Sequence, residues 1–213
     1  MLGSLRRFFR QYHNKILAIT FISLGLGLFL GFYVAAEILS GWTYFRSAPR
    51  EIINFVLLLI TYGILLGTNI NNSNYAYRGI YMFLVIAIFE GVFGALDIFL
   101  TLGNIFASGN GGSIASTLVY LALYGGLIGV GIALYIGTFN YMVGRRDNFK
   151  KLRTLYLIFV GILTASTVSM IVSFHLLGLL SSPINIIILL TNPISETLVA
   201  VGVAFTYERL RRI

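Results

Sequence analysis

Four carboxylic acids sit inside apolar runs of this 213-residue chain: Glu37, Glu90, Asp97 and Glu196. The other three acids, Glu51, Asp147 and Glu208, fall at run ends or in polar connections, and no lysine or arginine lies within the runs. A charge at bilayer depth is costly, so acids without bases are either held neutral or form a site for a proton or a cation. Glu90, Gly94, Asp97 and Thr101 recur at helical spacing and share one stripe. Glu196 follows Thr191-Asn192-Pro193-Ile194-Ser195. A proline inside a helix removes one backbone hydrogen bond and clashes with the carbonyl four residues earlier. At bilayer depth such a break can turn carbonyls towards a substrate or ion. The candidate binding or transport residues are therefore Glu90, Asp97, Asn192, Pro193 and Glu196. The same segment also fits a structural kink with a neutral, hydrogen-bonded Glu196.

Other chemistries find little support. There are no cysteines, which removes disulfides, thiolate metal sites and cysteine nucleophiles. His13 and His175 are too few and too far apart for a bis-histidine haem, since His13 lies in the polar N-terminal segment. Ser113 or Ser116 with His175 lacks a Gly-x-Ser-x-Gly context, the text being Gly-Gly-Ser-Ile. No Walker-type loop is present. Thr164, Ser166, Thr167, Ser169 and Asn140 either line a polar path or bond their own helix carbonyls. The expectation is a protein that is not an enzyme and holds no cofactor or metal.

These residues must be carried by membrane helices. The chain is 58% hydrophobic and 10% charged, with a mean hydropathy of +0.90. A soluble fold with about 25% charged residues is the usual case, so an all-α, polytopic integral membrane protein is expected. Six apolar runs are read at about 16–40, 52–68, 80–102, 114–142, 154–176 and 184–206. Their length excludes the ten-residue alternation of a barrel. Val34-Ala35-Ala36 has the composition of a cleavage site, but the apolar run continues to Leu39 and reads as a span.

Arg6, Arg7, Arg10, Lys15, Arg78, Arg145, Arg146, Lys150, Lys151, Arg153, Arg209, Arg211 and Arg212 fall on one side of that arrangement. Only Arg46 and Arg50 fall on the other. The positive-inside rule then puts both termini in the cytoplasm of a multi-pass cell-membrane protein. It also accounts for the net charge of +8, so no nucleic-acid partner is called for. Anionic lipids at the basic cytoplasmic face are natural partners beside the bilayer itself. The chain divides into three parts: an amphipathic basic segment 1–14, a six-helix domain 15–206 and a basic tail 207–213. The first reads as an interfacial helix or as a plain charged flank.

Glycine is abundant, 23 residues, and much of it is spaced for helix contact. Gly27/Gly31 with Ala35, Gly63/Gly67 and Gly125/Gly129 each form a small-xxx-small stripe. These serve either internal packing or a homo-oligomer or protein-partner face. The loop 108–113 is expected to be a flexible connector or lid. Six spans divide into three and three, which would run oppositely, a possible inverted repeat. The functional expectation is a small transporter or channel-like carrier, proton- or cation-linked through its mid-membrane carboxylates. The alternative is a non-catalytic subunit or scaffold of a larger membrane complex.

Overall fold

The computed structural model describes the backbone of residues 2–47, 49–71, 76–108, 111–143, 149–176 and 183–210. Every regular element among the described residues is a helix: α1 (Leu2–Leu39), α2 (Tyr44–Ser47), α3 (Pro49–Asn71), α4 (Ala76–Ser108), α5 (Gly111–Met142), α6 (Phe149–Leu176) and α7 (Pro183–Leu210). Two of the three prolines open α3 and α7, where the missing N–H has no intrahelical partner to lose. The third, Pro193, lies inside α7.

By length and composition, five helices among the described residues can cross a membrane: Tyr12–Leu39, Ile52–Asn71, Ala76–Asn104, Thr117–Met142 and Phe149–Val172. The protein is thus a multi-pass membrane protein by its helices. The sixth expected run, 184–206, is helical within α7, where the polar insert Thr191–Glu196 interrupts the apolar sequence. No break separates the basic segment 1–14 from the first span, because α1 runs unbroken from Leu2 to Leu39. The expected loop at 108–113 is helical at both ends; Gly109 and Asn110 lie outside the described residues.

α1 ends in a Schellman turn. Trp42 N–H donates to the Glu37 carbonyl (2.8 Å) and Gly41 N–H to that of Ile38 (3.1 Å). Gly41 takes the left-handed conformation (φ +64°) that a glycine adopts without cost, and Trp42 follows it (φ +66°). The Glu37 carboxylate accepts from the N–H of Phe45 (3.1 Å) in α2. Glu37 is therefore tied into the corner between α1 and α2.

The chain divides into two compact units. Unit 1 is residues 1–83 and 191–213: α1, α2, α3, the first eight residues of α4 (76–83) and the last part of α7. Its core is built on helical spacing, with Ala18, Ile22, Phe29 and Tyr33 from α1, Leu58, Tyr62 and Leu65 from α3, and Val199 and Val203 from α7. Above it Phe29, Tyr33, Phe45 and Phe55 form a connected aromatic cluster. Unit 2 is residues 84–190: the rest of α4, α5, α6 and the first eight residues of α7 (183–190). There Leu127, Gly131, Leu134 and Thr138 of α5 face Leu152, Tyr156, Phe159 and Leu163 of α6 in the same rhythm.

The glycines that let helices meet are not those of the Gly-xxx-Gly stripes. A Cβ on Gly27, Gly31, Gly63, Gly67, Gly125 or Gly129 would have nothing within 4 Å among the described residues. A Cβ on Gly202 would instead lie 2.6 Å from Ile22 Cγ1 and 3.1 Å from the Ile22 nitrogen, and one on Gly25 would lie 2.5 Å from Val199 Cγ2. In unit 2, Gly94 packs under the Tyr124 ring and Gly131 against Ile88. Replacing Gly202 with alanine should cost about 1–3 kcal/mol by overpacking. Gly31→Ala should cost nothing, since alanine is the better helix former. Thermal unfolding of the two variants in the same detergent checks the contrast.

Candidate functional site

α7 brings the chemistry of unit 1 together. Pro193 cannot donate to the helix, and its own carbonyl accepts from the Thr197 hydroxyl (2.9 Å). One turn of polar residues comes next. Ser195 is fully buried, and its hydroxyl donates to the Gly25 carbonyl of α1 at 2.6 Å. Glu196, next along, is half-buried and close enough for its charge to act on the phenol of Tyr62 in α3. Tyr62 is fully buried with its ring edge-on to Phe29 (centroids 5.3 Å apart), and its hydroxyl meets the Ser195 side chain without a well-aligned hydrogen bond. The Glu196 carboxyl group, an acceptor when ionised, acts on the same phenol through its charge.

A second polar layer closes the end of the unit where α3 stops. Asn69 is fully buried; its amide donates to the Leu65 carbonyl (2.8 Å) and to the Thr206 hydroxyl of α7 (2.9 Å). The Arg209 guanidinium of α7 donates to the Asn69 carbonyl (3.1 Å) and side-chain oxygen (3.0 Å). Lys15 of α1 donates to the Ile70 carbonyl (3.0 Å). The last carbonyls of α3 thus receive two cations, which also suits the negative end of its dipole.

Of the five residues singled out in the sequence, Pro193 and Glu196 belong to this site. Glu90 is half-buried in α4 and belongs to unit 2, so it is described apart from Glu196. The side chains of Asp97 and Asn192 lie outside the described residues, as does that of His175. In α6, Thr164 and Thr167 bond the carbonyls of Val160 and Leu163, their own preceding turn. The neighbouring Ser166 hydroxyl is buried without a partner among the described residues, and Tyr120 reaches the Ser169 carbonyl (2.8 Å). Among the described residues no group of three His, Asp or Glu could hold a metal ion.

Tyr62, Ser195, Asn69 and Arg209 escape a reading that looks for charges inside spans. The signal available for Tyr62 was the Thr61-Tyr62 pair, two polar tips in the middle of an apolar run.

Asn69→Leu should cost about 1–3 kcal/mol, because Arg209 loses its side-chain acceptor and the buried Thr206 hydroxyl loses its donor. Arg209→Lys should cost under about 1 kcal/mol, since a single nitrogen, Nη1, serves both oxygens and an ammonium has donors enough for the two. The two losses should be less than additive in a double-mutant cycle read by thermal unfolding. No protein-family model matches the chain, and no curated protein or solved structure is similar enough to it to show a family or a fold.

Proposed function

We propose that the protein is a small membrane carrier linked to a proton or cation, with Glu196 as its working carboxyl group. The observation that carries this reading is a half-buried carboxyl group, Glu196, one turn after Pro193 inside α7, with the buried Ser195 and the Tyr62 phenol of α3 at the same level. An ionised Glu196 places a charge on the face of α7 that acts on the Tyr62 phenol, and a protonated one removes it. Gain and loss of the proton therefore change the electrostatics between α3 and α7. A helix already lacking one backbone bond at Pro193 is where such a change becomes movement.

In this reading α7 is the sixth span and both termini are cytoplasmic. Support comes from unit 1. The beginning of α1, the end of α3 and the end of α7 meet through Lys15, Ile70, Asn69 and Arg209. The two basic ends of that unit, the beginning of α1 and the end of α7, thereby share one side with the end of α3, as the positive-inside rule requires. The inverted repeat is supported by how α4 and α7 are divided. Each gives its first eight residues to the unit of the two long helices before it, and the remainder to the other unit. Their acids fall at matching depth: Glu90 is the fifteenth residue of α4 and Glu196 the fourteenth of α7. Asp97 and Asn192 are proposed as the approach to the site.

The runner-up is a non-catalytic subunit or scaffold of a membrane complex. What favours it is that the Gly-xxx-Gly stripes of α1, α3 and α5 meet nothing within 4 Å among the described residues. Such stripes suit close contact with another helix.

The test is internal pH in liposomes containing only this protein, under imposed proton, sodium and potassium gradients. Wild type should carry a flux, Glu196→Gln should reduce it to the level of protein-free vesicles, and Tyr62→Phe should fall between. Equal flux in wild type and Glu196→Gln would remove the carboxyl from the mechanism. Absence of flux under all three gradients would favour the scaffold.

A further inference from the structure

A cavity of about 350 Å³ opens between α5 and α6 in unit 2. Its lining is graded along the helices. Ala133 and Ile136 of α5 and Leu155 of α6 form an apolar floor, and Asn140, Tyr141 and Lys151 form a polar end. The polar end lies where α5 finishes and α6 begins, which is where both helices reach the edge of their candidate spans, Thr117–Met142 and Phe149–Val172. Gly137, also in the lining, brings α5 close to α6: a Cβ there would lie 2.9 Å from Leu152 Cδ1. Lys151 is exposed, and among the described residues no acid lines the cavity. Lys150 and Arg153 add charge beside it without lining it.

We infer that this cavity is a binding site for an anionic phospholipid of the adjoining leaflet. A free anion would use only the polar end and leave the apolar floor unexplained. A zwitterionic lipid would use the floor but bring its own ammonium beside Lys151, where no acid among the described residues lines the cavity to receive it. A lipid with a net negative headgroup uses both, its phosphate at Lys151, Tyr141 and Asn140 and the start of an acyl chain against Ala133, Ile136 and Leu155. Basic pockets between membrane helices at the headgroup level have this chemistry. The volume falls at the lower end of the range for small-ligand sites. The inference stands on the membrane placement of α5 and α6 and is independent of the carrier reading.

The experiment is native mass spectrometry of the full chain in a non-ionic detergent. It is titrated with phosphatidylglycerol, with phosphatidylcholine, and with inorganic phosphate as competitor. Phosphatidylglycerol should fill one saturable site ahead of phosphatidylcholine. Lys151→Gln should weaken it about fivefold, and Lys150→Gln, outside the lining, by under about twofold. Ala133→Phe, which fills the floor, should abolish it. Should that variant fail to fold, Ala133→Leu with the Lys150/Lys151 contrast decides. Equal weakening by Lys150→Gln and Lys151→Gln would overturn the site in favour of diffuse attraction to the basic loop. Full competition by inorganic phosphate would overturn the lipid in favour of a free anion.

Discussion

Gly25 and Gly202 bring two helix backbones closer than any side chain would permit. A Cβ on Gly25 would lie 2.9 Å from the Ser195 carbonyl oxygen, and one on Gly202 would lie 3.2 Å from that of Ala18. Lipid gives helices no hydrophobic reason to associate, so close packing and buried hydrogen bonds must do it. Here one contact supplies both. The approach that Gly25 permits is also what puts its carbonyl 2.6 Å from the Ser195 hydroxyl. That bond fixes α7 two residues past the proline, where the helix is weakest. With α7 held there, Glu196 faces the neighbourhood of Tyr62. The site in unit 1 is a consequence of the α1–α7 crossing.

The same crossing organises the end of the unit. Ser195, Val199, Gly202, Thr206 and Arg209 recur at alternating steps of four and three, so they form one seam along α7. Ser195, Val199 and Gly202 meet α1; Thr206 and Arg209 meet the end of α3. Each polar member of the seam is bonded to a backbone carbonyl or to Asn69. Buried polar groups of this kind are tolerable because every donor finds an acceptor.

Much of this was legible in the chain. Run lengths located the helices, and Pro193 with Glu196 after it drew attention to α7, which runs as one continuous helix through the proline where a break was expected. What could not be read was which glycines matter. Gly-xxx-Gly spacing identifies a narrow face on a helix but says nothing of what lies opposite, and the three stripes turned out to meet nothing within 4 Å among the described residues. Gly25 and Gly202 belong to no such pair, because the partner that each accommodates is 170 or more residues away in sequence. Glu37 looked like an intramembrane acid, yet its carboxylate serves the N–H of Phe45. Only the turn at Gly41 and Trp42, which folds the chain back, makes that possible. Tyr62 was hidden for a different reason. A tyrosine counts as hydrophobic in any composition, and its polar tip matters only once burial removes its water.

On the inverted-repeat reading, Glu90 and Glu196 are equivalent by depth and unequal by surroundings. The residue before Glu196 is Ser195, buried and bonded to the neighbouring helix; the residue before Glu90 is Phe89, exposed on its helix. Gly91 and Gly94 beside Glu90 are filled by Ile128 and by the Tyr124 ring, so that stretch of α4 is closely packed against α5. The stretch of α7 beside Glu196 contains a proline instead, and the charge of Glu196 acts on the Tyr62 phenol of α3. A repeat whose halves keep the acid and change its setting can assign the two copies different work. On that reading the packed copy would hold its unit together, and the copy beside Pro193 is the one proposed to exchange a proton. That division rests on the neighbours alone, and it makes Glu196 rather than Glu90 the residue on which transport would depend.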